Sequence, residues 1–182
     1  MGQWQRAGAL QHARRIGLGM MSVYISLGSN LGDSVFTLER AFVELQKLSV
    51  RPVQKSSLWR GTPVDCPPGS PDFVNAAASL EPLQEETPES LIIKLQALED
   101  KFGRIPKEVL NEPRPLDLDI IAFGEEIRET TQLTLPHPRW YQRQFVLEPL
   151  SEIAPEAILP GQTLPVIQLL SELDAKEDLA RL

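Results

Sequence analysis

Apolar residues recur in two rhythms along the chain, and the change from one to the other predicts its elements. Val23, Ile25 and Leu27 alternate with Tyr24 and Ser26, the period of a strand. That run ends at Gly28-Ser29-Asn30, a turn-forming triplet. Val35, Leu38, Phe42 and Leu45 then recur at spacings of three and four, which predicts an amphipathic helix over 34–48 capped by Asp33 or Ser34. Residues 50–60 read as a second strand and residues 73–80 as a third. Thr87-Pro88-Glu89 marks a helix start, with a capping hydroxyl, a proline at the first helical position and an acid in the first turn. Its apolar stripe is Leu91, Ile92, Leu95, Leu98 and Phe102, and Gly103 marks its end. Residues 116–123 read as a buried strand, and 125–135 as a short edge hairpin with a turn near Gly124-Glu125. Residues 145–150 are apolar, a short helix is predicted near 164–173, and a charged tail follows.

The order β-α-β-β-α-β predicts a ferredoxin-like α+β fold: two split βαβ units, helices on one face of a mainly antiparallel sheet, and extra C-terminal elements. Residues 1–20 stand apart. They hold Arg6, Arg14 and Arg15 and no acid, and Met20-Met21 follow. A targeting peptide has that charge pattern, but hydroxyl residues are few and no long apolar block is present. We therefore expect a disordered or loosely helical extension, with 21–182 as a single domain.

Composition narrows the function classes. The 182 residues are 42% hydrophobic and 24% charged, ordinary for a globular chain, with a net charge of −7. That sign argues against nonspecific nucleic-acid binding. Basic residues cluster locally all the same. No acid occurs between Glu129 and Glu148, a stretch that holds His137, Arg139 and Arg143, while Lys101, Arg104, Lys107 and Arg114 outnumber Glu108 and Glu112. The one cysteine, Cys66, excludes an intrachain disulfide and points to a reducing, cytoplasmic compartment. No apolar run is long enough for a membrane span.

The candidate chemistry lies in residues 113–124. On the predicted strand Leu116, Leu118, Ile120 and Ala122 point one way, and Asp117, Asp119, Ile121 and Phe123 the other. The two carboxylates are then roughly 6.5–7 Å apart on one face. A strand with two solvated acids is the bland reading. Arg114 beside the pair and the apolar run beyond it favour a metal-binding pair, because like charges that close repel unless cations lie between them. Mg²⁺ is usually held by one or two carboxylates plus substrate phosphates, and arginines can neutralise transferring phosphoryl oxygens. Arg104, Arg114 and Arg143 suit that second role. No Walker loop is present, and two histidines with one cysteine give no zinc pattern. The proline-rich loop 61–72 is either a shaped binding wall or a plain surface connection.

Four blocks carry a resemblance. Tyr24-Ile-Ser-Leu-Gly-Ser-Asn-Leu-Gly-Asp33, Pro71-Asp-Phe-Val-Asn-Ala76, Pro113-Arg-Pro-Leu-Asp-Leu-Asp-Ile120, and Leu135-Pro-His-Pro-Arg139 with Arg143-Gln-Phe-Val-Leu-Glu-Pro-Leu150 resemble, in order, the motifs of the hydroxymethyl-dihydropterin pyrophosphokinases of folate synthesis. The resemblance runs from about residue 22 to 170. It implies that ATP donates its β,γ-diphosphate to the hydroxymethyl oxygen of a reduced pterin, releasing AMP. It implies two Mg²⁺ ions on Asp117 and Asp119, and Arg104 and Arg114 stabilising the transferring group. Gln96, Glu99, Ile120, Thr134, His137 and Arg143 would bind ATP. Phe73 and Phe145 would stack on the pterin, Asn75 would read its ring edge, and Gly61, Thr62 and Val64 would line the same pocket. The implied partners are the two small molecules alone, with no nucleic acid and no membrane, and the chain is expected to act as a monomer.

The sequence also departs from the family pattern. Pro106 stands where a second loop arginine is common. Asn111 and Glu112 replace a tryptophan and a glycine, Gly61 replaces a threonine, and loop 65–72 is one residue longer. Two other classes share parts of the signal. A nucleotidyltransferase also uses Asp-x-Asp on a strand, but its Gly-Ser helix start would lie just before that strand. An RNA-binding module shares the fold class but needs exposed aromatics and a basic face.

Overall fold

The computed structural model describes residues 21–105, 112–174 and 178–182. The expected extension at 1–20 lies outside the described residues, as do Pro106 and Asn111.

The elements are β1 (Val23–Ser29), α1 (Ser34–Leu45), β2 (Gln54–Lys55), β3 (Trp59–Gly61), β4 (Phe73–Leu80), α2 (Pro88–Lys101), β5 (Asp117–Phe123), β6 (Arg128–Glu129), β7 (Thr134–Leu135), α3 (Gln144–Ile153), α4 (Val166–Glu172) and β8 (Leu179–Arg181). One sheet runs β5-β1-β4-β3-β8, with β2 also beside β4, and every pairing is antiparallel. The fold is α+β. No helix among the described residues is long and apolar enough to cross a membrane.

The caps follow the sequence. Asp33 accepts from Phe36 N at 3.0 Å, Thr87 and Ser90 form a reciprocal capping box, and Gly103 takes φ +91° as α2 stops. The predicted second strand is broken, however, into β2 and β3. At Ser56 the side-chain oxygen accepts the Ala77 N–H at 2.9 Å, and the regular ladder lapses for residues 56–58.

Both faces of the sheet are covered. Val23, Ile25, Leu27, Ala76, Ala78, Leu118 and Ile120 pack on Leu38, Phe42 and Leu45 of α1 and Leu91 and Leu95 of α2. On the other face Ala77, Ile121 and Ala122 pack on Trp140, on Val146, Leu147 and Leu150 of α3, and on Val166 of α4. The helices of the β-α-β-β-α-β unit thus share one face, and the C-terminal helices cover part of the other.

Strict alternation along β5 fails at one point. Tyr24 faces Ala122, but Ile25 faces Ile120, so Ile121 is an extra residue and β5 carries a β-bulge. Beyond it the faces exchange. Phe123 joins Leu118 and Ile120 in one core, and Ala122 joins Ile121 in the other, the reverse of the expected assignment. Ile121 O accepts from His137 N at 2.9 Å, which ties the segment after β7 to the bulge.

Two further expectations change. The hairpin β6–β7 turns at residues 130–133, where Leu133 N donates to Thr130 Oγ1 at 3.0 Å; Gly124, at φ +52°, only redirects the chain out of β5. The charged tail includes a strand. β8 pairs with β3, placing Leu179 opposite Gly61.

Candidate active site

Antiparallel register builds the site in rows. Gly28 of β1 lies between Asn75 of β4 and Asp117 of β5, and Ser26 lies between Ala77 and Asp119. These residues share the sheet face that α3 and α4 only partly cover. The uncovered part opens into a cavity of about 770 Å³. Gly28 keeps its floor clear. A Cβ there would come within 3.4 Å of Asn75 Oδ1, 3.7 Å of the Phe73 ring and 3.9 Å of Asp117 Cβ.

Fifteen of the sixteen residues expected at a site line this one cavity: Arg104, Arg114, Asp117, Asp119, Gln96, Glu99, Ile120, Thr134, His137, Arg143, Thr62, Val64, Phe73, Asn75 and Phe145. Gly61 does not. It is buried at the foot of the wall, where an added Cβ would meet Leu179 Cδ2 at 2.6 Å. The cause is β8, which the sequence did not reveal as a strand. The loop 61–72 does form part of the wall, through Thr62, Val64 and Cys66.

At one end of the cavity the charges are concentrated. Arg104 contacts both Glu99 and Asp117, the latter at 3.0 Å to Oδ1, and Arg114 Nη2 lies 2.7 Å from Asp117 Oδ2. Each oxygen of Asp117 is thus matched by one guanidinium. Asp119 forms no ion pair among the described residues; burial, then the charge of Asp117, pushes its pKa up from the ordinary carboxylate value. Arg114 Nε is buried with no acceptor among the described residues. Glu99 is 5% exposed and accepts from Leu118 N at 2.7 Å. Burial holds its pKa up at about 7. Glu99 therefore joins α2 to β5 and holds Arg104 while lining the cavity.

His137 is held neutral near neutral pH. Burial, then the neighbouring charges of Arg143 and Arg139, lowers its pKa to about 4. Its Nδ1 accepts from Arg139 N at 3.2 Å, so the ring proton resides on Nε2, where it can be donated. Arg143, at the N-terminus of α3, is pushed below the usual guanidinium value by burial and then by Arg139.

Aromatic rings adjoin these charges. Phe73 and Phe145 each carry a guanidinium over the ring, Arg114 at 5.5 Å and Arg143 at 5.4 Å from the centroids. Asn75, 5% exposed, stands beside Phe73. A flat polar ring and a polyanion could thus be held side by side.

Lining residues that sequence reasoning did not place at a site include Ser26, Gly28, Cys66, Gln132 and Arg139. Ser26 reaches the site only through cross-strand register with Asp119, which the sequence does not print. Arg139 sits in the Pro-His-Pro-Arg block and could have been found from its charge.

A family model described as 7,8-dihydro-6-hydroxymethylpterin-pyrophosphokinase (HPPK) matches residues 24–155. A 2-amino-4-hydroxy-6-hydroxymethyldihydropteridine pyrophosphokinase of Haemophilus influenzae is 39% identical over 155 residues, covering 85% of this chain and 91% of that protein. One from Synechocystis is 38% identical over 150 residues, covering 82% and 75%. Among solved structures, wild-type Plasmodium falciparum HPPK-DHPS superposes with a TM-score of 0.65 at 13% identity, covering 84% of this chain and 44% of that one. The chain therefore spans less than half of that longer protein, and the likeness bears on fold alone. With most of its length matched by the family model and by relatives well above 30% identity, the chain belongs to the 7,8-dihydro-6-hydroxymethylpterin-pyrophosphokinase family.

Proposed function

We propose that this protein transfers the β,γ-diphosphate of ATP to the hydroxymethyl oxygen of 6-hydroxymethyl-7,8-dihydropterin. The pterin oxygen bonds to the β-phosphorus, the bond from that phosphorus to the α-phosphate bridging oxygen breaks, AMP leaves, and the hydroxyl proton is released. The observation that carries the reading is the row of Asn75, Gly28 and Asp117. It joins an aromatic and amide wall to a carboxylate pair flanked by guanidiniums across a floor with no side chain.

The donor set suits Mg²⁺. Asp117 and Asp119 offer oxygen only, and no group of three or more His, Cys, Asp or Glu able to hold a metal occurs among the described residues. A hard cation that takes one or two carboxylates and completes its shell with phosphate oxygens and water fits that supply; zinc, which wants three or four protein ligands, does not. Asp117 and Asp119 would hold the two ions, which supply charge neutralisation and alignment of the phosphates when bound.

The chain's own residues do the rest. Phe73 and Phe145 bind the ring by stacking, and Asn75 matches its donor and acceptor edge. Arg104 and Arg114 supply positive charge where charge develops in transfer. Arg143 and the Nε2–H of His137 bind phosphate oxygens. Gln96, Ile120 and Thr134 flank the nucleotide, Glu99 keeps Arg104 in place, and Thr62 and Val64 exclude water from the ring side. The strand order, with the last strand of the β-α-β-β-α-β unit beside the first, supports the ferredoxin-like label. The protein is taken to act as a monomer, and a single cysteine supports a cytoplasmic setting.

The test is product analysis with MgATP and the pterin. AMP is expected; release of pyrophosphate would instead establish nucleotidyl transfer. Asp117→Ala and Asp119→Ala should each lower AMP formation by about a thousandfold or more, the scale of a lost charge-stabilising group, with circular dichroism unchanged. Near-normal turnover in either variant would remove the metal assignment.

A further inference from the structure

Asn30 follows β1, is 3% exposed, and is absent from the cavity lining. It is nevertheless tied to both halves of the site. Its Oδ1 accepts from Arg114 N at 2.8 Å, its backbone N–H donates to Arg114 O at 3.2 Å, and its Nδ2 donates to Pro71 O at 3.2 Å. Arg114 carries the guanidinium that reaches Asp117 Oδ2 and lies over Phe73. Pro71 stands two residues before Phe73, where the proline-rich loop enters β4. One amide thus binds the backbone behind the phosphate-side arginine and the backbone behind the ring-side phenylalanine. Turning it would break both side-chain bonds, which are partly shielded from water, at roughly 1 kcal/mol for each.

We propose that Asn30 is a positioning residue for diphosphate transfer, fixing the ring-binding wall relative to the phosphate-binding arginine. The inference rests on the reading that pterin and ATP meet in this cavity. The chemistry makes that distance matter. The hydroxymethyl oxygen is carried by a ring held at Phe73 and Asn75, and its target phosphorus by groups at Arg114 and Asp117. Reacting atoms must come within about 3–3.5 Å, and a misplacement of about 1 Å can cost around a hundredfold in rate.

The experiment compares wild type, Asn30→Ala, Asn30→Asp and Ser29→Ala. Each is assayed for AMP release at saturating substrates, for Kd of the pterin and of a non-hydrolysable ATP analogue, and for thermal midpoint. Ser29 is the control: it is equally buried in the same turn, but its hydroxyl bonds Ser34 Oγ at 2.9 Å and not the site. Asn30→Ala should lower kcat by about 30-fold or more, well beyond Ser29→Ala, with nucleotide Kd within about threefold. Asn30→Asp keeps the acceptor facing Arg114 N–H and, ionised, loses the donor to Pro71. With its link to the ring-side wall gone, it should lower kcat by about tenfold or more and weaken pterin binding, with nucleotide Kd within about threefold. Equal kcat losses in Asn30→Ala and Ser29→Ala, or an Asn30→Asp kcat near that of wild type, overturn the proposal. If Asn30→Ala does not fold, Asn30→Asp decides alone, and an unchanged kcat counts against the proposal. Absence of AMP from the wild type removes the underlying reading itself, and this inference with it.

Discussion

At Asp119 a buried carboxylate lies next to a second one, and function there costs stability. Its folded pKa is raised above the unfolded value. A carboxyl raised in this way contributes stability below the unfolded pKa and loses it as pH rises through the folded pKa. At pH 8 without metal the ionised group therefore works against the fold. Asp119→Asn, measured in EDTA at pH 8, should raise the thermal midpoint by about 2–4 °C per kcal/mol relieved while losing AMP formation; a lower midpoint would contradict the sign. His137 shifts the opposite way. Its folded pKa of about 4 lies below the ordinary value, so it stays neutral through the physiological range. Its ring resonances in an NMR titration should move only below about pH 5, and a midpoint near 6.5 would mean that the ring is solvated and cationic at mildly acid pH.

The bulge in β5 is the element on which the nucleotide side of the cavity turns. It frees Ile121 O for His137 N and sends the Ile121 side chain into the core beneath α3. Deleting Ile121 should leave the β1–β5 register intact, because Ile120 and Ala122 already face consecutive residues of β1. It should also release the 135–140 segment and weaken ATP-analogue binding by about tenfold, the cost of roughly one buried hydrogen bond with its packing. Calorimetry on the folded deletion variant checks this, and unchanged affinity would show that the segment is held by other contacts. The same element marks how far the sequence could be read. Periodicity places β1, β4, α1 and α2 closely, since each has one strongly apolar face and a local cap, and it puts Asp117 and Asp119 on one face. It misassigns Ala122 and Phe123 because one inserted residue reverses every side chain beyond it, and nothing local announces the insertion. Ser26 and Asn30 are invisible for a related reason: their roles depend on partners roughly 40 to 95 positions away, reached through register and not through spacing.

Over the whole molecule, the two sheet faces divide the labour. The face under α1 and α2 is packed along its length and carries no site residue from β1 or β4, so substitutions there act on stability. The face under α3 and α4 is packed only in part, and the cavity opens beside the packed part. The helices thus leave an opening at the end where Asp117, Asn75 and Gly28 align.

The pairing of β8 with β3 has a consequence in the order of synthesis. β3 leads directly into the proline-rich wall, yet its outer neighbour is made more than a hundred residues later. A ribosome adding about 5–20 residues per second leaves that strand edge bare for several seconds or more, and a bare edge is a template for other strands. Nascent chains stalled with residues 179–181 still inside the exit tunnel should therefore be cut within 61–72 far faster by protease than chains stalled after those residues emerge. Equal cleavage would show that the wall closes without its last strand.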